Sequence, residues 1–257
     1  AKEWYKVREE NGRVGYLPKN HLELDYTFDG FTKEIKKEEA RVKRDEKINL
    51  VWDYTAVKND PLKKDLELPG VNVMSPTWFS LKEDLTIENR GNLAYTDSVH
   101  ERGMEVWAMF DNNFKTAVAE KGLQRSSTRQ RLIKELLEMC KELNVDGINV
   151  DFEEINVATR DNYTQFIREL YPIFSAEGLV ISVDVVPRIF TDERDNYDRK
   201  GLAEAADYIM LMTYDQYWSS SPEAGSVAEY SWVENNLNSL FRDIPMEKFI
   251  YTVPVSY

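Results

Sequence analysis

The sequence predicts an α/β chain folded as a (β/α)8 barrel that stops after its seventh strand, preceded by a short N-terminal β fragment. Three observations predict it. Seven apolar, β-branched segments alternate with stretches long enough for a helix. No Gly-rich phosphate loop follows the first of them, which disfavours a dinucleotide-binding sheet. Polar and aromatic residues gather where the segments end, the rim on which a barrel carries its chemistry. A chain of 257 residues, 42% hydrophobic and 12% aromatic, supplies one barrel-sized core.

From the N-terminus, residues 1–24 read as the β fragment, with Trp4-Tyr-Lys-Val-Arg8 and Asn11-Gly-Arg-Val-Gly-Tyr-Leu17 as its strands. Residues 25–47, dense in Lys, Glu and Arg, read as a charged linker or surface helix. The barrel occupies 48–257. Its strands are predicted at 48–54, Val71–Phe79, Glu105–Asn112, Asp146–Glu154, Leu179–Pro187, Tyr208–Asp215 and Phe249–Tyr257. Helices are predicted at Asn92–Glu101, Ser127–Leu143, Thr159–Ala176, Asp198–Ala206 and Ser231–Phe241. Ser127-Thr-Arg-Gln130 reads as a capping box opening a helix whose apolar stripe is Leu132, Ile133, Leu136, Leu137, Cys140 and Leu143. Tyr163, Phe166, Ile167 and Leu170 repeat the helical period in the next one.

The net charge of −13 argues against binding a phosphate backbone but not against an uncharged sugar polymer. No apolar run is long enough to span a membrane, and no signal peptide heads the sequence as given. Cys140, the single cysteine, is expected in the core, and His21 and His100 at the surface or in packing.

The run Asp146-Gly-Ile-Asn-Val-Asp-Phe-Glu-Glu154 sets Asn149, Asp151 and Glu153 at every second position of an apolar strand, so the three share one face. A half-exposed antiparallel strand also alternates in this way. Here, however, amphipathic helices flank the segment, which places it in a parallel sheet covered on both faces, where aligned acids are abnormal. These residues are therefore read as the floor of an active site. Further polar and aromatic groups collect at the other strand ends: Asp53 and Tyr54; Ser75, Thr77 and Trp78; Asp111, Asn112 and Asn113; Asp184 and Arg188; Tyr214 and Asp215. Asp111, Asn112 and Asp215 each read equally well as helix caps. Trp78 and Trp218 on one rim favour a cleft in which aromatic faces stack on sugar rings.

Asp146-Gly-Ile-Asn-Val-Asp-Phe-Glu153 resembles the D-G-x-D-x-D-x-E signature of family 18 glycoside hydrolases, chitinase-like enzymes built on the TIM barrel. Met212-Thr-Tyr-Asp215 resembles that family's M-x-Y-D element, and Val73-Met-Ser-Pro-Thr-Trp-Phe79 a second-strand element of its bacterial cell-wall and spore-cortex branch. The N-terminal strands are similar to the closing strands of a bacterial SH3 domain, a peptide-binding companion of wall hydrolases.

The resemblance implies a retaining hydrolase of N-acetylglucosamine-containing glycans, peptidoglycan or spore cortex before chitin, working without metal or cofactor at the cell wall or outside the cell. Glu153 would be the acid and later the base, its pKa raised by burial and by Asp151. Asp151 would orient the substrate's acetamide, whose carbonyl attacks the anomeric carbon, and Tyr214 would hydrogen-bond the acetamide oxygen. Asn149, Trp78, Asp215, Asp184, Asn112 and Arg188 are the expected substrate-binding residues. Two departures stand out. Asn149 replaces the family's commoner aspartate, and an amide cannot share a proton with Asp151. The sequence also ends within the seventh strand, at Pro254-Val-Ser-Tyr257, before the strand that in the family supplies a tryptophan under the reacting sugar. The alternative readings are a catalytically silent carbohydrate-binding barrel and, more distantly, an enzyme holding a metal on Asp151, Glu153 and Asp184.

Overall fold

The computed structural model describes residues 4–8, 14–18, 47–188 and 194–253. Near the N-terminus, β1 (Trp4–Arg8) pairs antiparallel with β2 (Val14–Pro18), Trp4 opposite Pro18. The rest of the β fragment, His21, most of the charged linker and the last four residues of the predicted seventh strand lie outside the described residues.

The barrel wall is a parallel sheet of β3 (Leu50–Asp53), β4 (Val73–Pro76), β7 (Glu105–Asp111), β8 (Gly147–Asp151), β9 (Val180–Val185), β10 (Tyr208–Met212) and β11 (Phe249–Thr252), neighbours in that order. It curls: Trp52 on β3 meets Tyr214, just past β10, edge to face at 6.2 Å across the interior. The expected single strand over Val71–Phe79 is broken after Pro76. The chain then forms β5 (Phe79–Leu81), which pairs with β7 and makes an antiparallel hairpin with β6 (Ile87–Asn89).

Helices cover the outer face: α1 (Leu93–His100), α2 (Thr116–Leu123), α3 (Ser126–Glu142), α4 (Val157–Ala176), α5 (Arg199–Ala205) and α6 (Tyr230–Leu240). Asn92, Asn156 and Asp198 cap three of them, each side chain accepting a backbone N–H of the first turn. The predicted capping box does not form: α3 begins one residue earlier, with Arg125 at the N-cap and no side-chain cap bond. Its apolar stripe is where the pattern put it, with Leu132, Ile133, Leu136 and Cys140 buried.

Two layers of packing result. The outer core joins helices to sheet; there Phe152 stacks on Tyr163 of α4 at 5.5 Å between ring centroids, nearly parallel, with Phe166 beyond. A smaller inner cluster fills the barrel interior, with Val73, Trp107 and Met210 packed by Leu50, Trp52, Val180, Tyr208 and Ile250. Trp107 stacks on Tyr208 at 5.7 Å within it. Gly147 starts β8 against this cluster, where a Cβ would sit 2.8 Å from the Val180 carbonyl and 2.9 Å from the Trp107 ring. Asp146, just before it, accepts from the Val106 N–H and contacts His100 Nε2, both at 2.8 Å, tying the start of β8 to β7 and α1.

Candidate active site

A cleft of about 970 Å³ opens at the C-terminal ends of the strands. β8 ends at Asp151, three residues short of the predicted strand, yet the alternation carries on past it. Phe152 turns outward into the helix layer, while Asp151 and Glu153 face the cleft. Asp184 from β9, Tyr214 and Asp215 after β10, and Arg188 after β9 line the same cavity.

Glu153 is held through its backbone. Asn112 Nδ2 donates to the Glu153 carbonyl at 2.8 Å, and the Glu153 N–H donates to Asn112 Oδ1 at 3.0 Å. Asn112 is completely buried and is neither cap nor cleft wall. The structure corrects its expected substrate contact to a clamp on the acid's main chain.

Asn149 lies beneath the cleft rather than on its lining. Its Oδ1 accepts from Trp52 Nε1 at 2.9 Å, and its Nδ2 donates to Ser182 Oγ at 3.0 Å and Asp184 Oδ1 at 2.9 Å. An indole N–H can only donate, so Trp52 fixes which end of the amide faces Asp184. Trp78 is also corrected. It is fully buried, donates to Asn59 Oδ1 at 2.6 Å and packs edge-on against Tyr95, whereas Trp218 is 58% exposed on the cleft wall. Arg188 reaches the lining, but its guanidinium is committed to Asp195 at 2.8 Å and Asp243 at 2.5 Å.

Burial dominates the electrostatics. It pushes the Glu153 carboxyl up to about 7, helped by the charges of Glu154, Asp215 and Asp111. Asp151, expected to raise Glu153 together with burial, is not among these groups. Asp151 is itself raised well above the carboxylate range, by burial first and then by Asp184, Glu153 and Asp111. Asp184 is pushed up to about 8 by burial, against the opposing pull of the Asn149 amide. Asp111 is raised more weakly, because the Asn113 N–H, the Ser80 hydroxyl and Arg90 favour its charged form. Burial and the surrounding carboxylates hold the Tyr214 phenol protonated, so it is a hydrogen-bond donor at any ordinary pH.

Several cleft residues were not singled out from the sequence: Trp52, Arg90, Glu154 and Trp232. Trp52 had a signal, since it shares a strand face with Leu50. Strain also marks the site. Asn113, Phe114, Glu154 and Asp215 adopt φ between 51° and 61°, and all four line the cleft.

The model for glycosyl hydrolases family 18 matches residues 78–255, more than half of the chain. The chain belongs to that family. The family 18 chain is 26% identical over 166 residues to an uncharacterized glycosylase, YvbX, of Bacillus subtilis, covering 60% of itself and 47% of that protein. It is 26% identical over 144 residues to the cortical fragment-lytic enzyme of the same organism, covering 51% and 33%. The solved chitinase of Chromobacterium violaceum superposes with a TM-score of 0.64 at 25% identity, over 72% of this chain and 61% of that one. The family 18 chain thus spans about half, or less, of the length of these curated relatives.

Proposed function

We propose that this chain is the catalytic domain of a retaining glycoside hydrolase that cleaves N-acetylglucosamine-containing glycans of the bacterial cell wall or spore cortex. The observation that carries the proposal is Glu153: a carboxyl group at the cleft, clamped through its own main chain, with a pKa pushed to about 7. An acid poised there is part protonated at neutral pH and can give its proton to a leaving oxygen, then act as base in the next step.

The chemistry is substrate-assisted. Glu153 protonates the glycosidic oxygen as its bond to the anomeric carbon breaks, and the sugar's acetamide oxygen closes onto that carbon. Asp151, two residues back on the same wall, faces the acetamide nitrogen as positive charge develops on it. Tyr214 donates to the acetamide oxygen. Water then attacks the anomeric carbon as its bond to the acetamide oxygen breaks, giving up its proton to Glu153, and the original configuration returns.

Cortical fragment-lytic relatives favour a peptidoglycan-type substrate and a wall or spore location. The exposed Trp218 and the largely apolar cleft wall suit an uncharged polysaccharide better than the acidic surface suits a polyanion. Among the described residues no helix is long and apolar enough to cross a membrane.

The test is incubation with purified peptidoglycan, spore cortex and chitin oligomers, beside Glu153→Gln, with products identified by mass spectrometry and anomeric configuration by NMR. New reducing N-acetylglucosamine ends from the wild type alone, first seen as the retained anomer, support the proposal. Equal product from both proteins, or glycan binding without cleavage by either, would refute it.

A further inference from the structure

Asp184 has no part in the steps above, yet burying it is costly. It is 1% exposed, near the end of β9 on the floor of the cleft. β8 and β9 are parallel, and their paired positions run from Gly147 and Val180 to Val150 and Val183. One further step in that register sets Asp151 beside Asp184, on strands about 4.8 Å apart. The Asn149 amide, held by Trp52, donates to one oxygen of Asp184. The other oxygen, Asp184 Oδ2, is buried with no hydrogen-bond partner among the described residues, and so is Asp151 Oδ1. Ionised carboxylates only accept, and two charges this close at the floor of a cleft repel strongly. One proton held between them makes one carboxyl a donor and removes a charge, as in other paired-carboxylate sites.

We infer that Asp151 and Asp184 share one proton across β8 and β9, and that Asp184 is a positioning residue that takes this proton whenever Asp151 must be charged. The inference rests on the proposed hydrolase reading and deepens it. When Glu153 gives its proton to the leaving oxygen and the acetamide oxygen bonds to the anomeric carbon, the shared proton moves onto Asp184. Asp151 is left ionised against the acetamide N–H. When water attacks, its proton goes to Glu153, the bond to the acetamide oxygen breaks, and the shared proton returns. The pair neither gains nor loses a proton over a turnover. Asn149 cannot do this, because an amide at these pH values neither takes up nor releases a proton. The charged and titratable groups around the pair are Glu153, Asp111, Asp215 and the phenols of Tyr163, Tyr197 and Tyr214, with Arg199 beyond Tyr197.

The test uses carboxyl-carbon NMR titration of wild type, Asp184→Asn and Asp151→Asn, with kinetics on Asp184→Asn and on Asn149→Asp/Asp184→Asn. In the wild type both carboxyl carbons should report the same two steps. In Asp184→Asn, Asp151 should titrate in a single step at lower pH, because a like charge has gone. The variant should lose about tenfold or more in kcat with KM nearly unchanged, and its pH–rate profile should shift. The double variant, which moves the carboxylate to position 149, should recover most of that loss. Independent single-step titrations in the wild type would overturn the inference, as would an Asp184→Asn enzyme with unaltered kcat and pH profile. The NMR arm stands even if no glycan is cleaved, and the Glu153→Gln comparison reports on the hydrolase reading alone, so the two failures are distinguishable.

Discussion

Replacing Asn112 by Ala removes both hydrogen bonds that hold the main chain of Glu153 while leaving every cleft-lining side chain in place. Each bond contributes about 1 kcal/mol net, and each buried partner left unpaired costs about 1–3 kcal/mol. The Glu153 N–H and carbonyl border a cleft that water can enter, so the low end applies and the loss is about 4 kcal/mol. For a domain of this size that lowers the melting temperature by about 8–16 °C. Catalysis should suffer more. A displacement of about 1 Å in a catalytic group costs on the order of a hundredfold in rate, and here the acid's own backbone is released. Differential scanning calorimetry and kcat on soluble glycan fragments measure the two effects. Asn112→Asp separates them further: it retains the Oδ1 acceptor but sets another carboxylate beside Glu153, which should move the basic limb of the rate profile to higher pH. A variant Asn112→Ala that melts within about 2 °C of wild type and retains kcat within about threefold would refute the clamp.

Three further outcomes follow from the same geometry. The pKa of Glu153 rises from an ordinary 4.5 to about 7 on folding, so the folded state binds that proton more tightly; the resulting stability is fully present below 4.5 and lost as pH rises through 7. Glu153→Gln should therefore melt above wild type at pH 8, with the gap closing by pH 4 in calorimetry, and wild-type kcat should decline above about pH 7. Trp52→Phe leaves Asn149 Oδ1 with only the 3.4 Å contact from Ser75; kcat should decrease with little change in KM, and titration of Asp184 by NMR should move as the amide loses its fixed orientation. Trp218→Ala removes an exposed stacking face from the cleft wall and should raise KM on polymer by about threefold to tenfold at unchanged kcat, equivalent to about 1 kcal/mol of contact.

The wall of the barrel was legible because burial writes a strong pattern. Strands closed on both faces read as apolar runs, and the acids of β8 interrupt one of them. The same logic failed for Trp78. A position just past a strand end can turn either way, and here the chain dives into β5 so that the indole fills the core beside Tyr95. Helix α2 escaped notice because it is short, contains Gly122 and has no side-chain cap. The two asparagines misled differently. Asn112 and Asn149 both sit at the active site, but their amides are spent on protein groups, and no local pattern reports a partner 41 or 35 residues away. Trp52 was missed for the same reason: its partner Asn149 is 97 residues distant.

The inner cluster has a consequence for how the enzyme meets its surroundings. With Trp107 stacked on Tyr208, and Val73 and Met210 sealed around them, the barrel is stoppered below its acids. The acids meet bulk solvent through the cleft mouth, and a polysaccharide lying across that mouth is also its cover. A glycan docked there would slow proton exchange between the three carboxyl groups and the buffer, so the pH dependence of kcat would report the covered site and that of kcat/KM the open one.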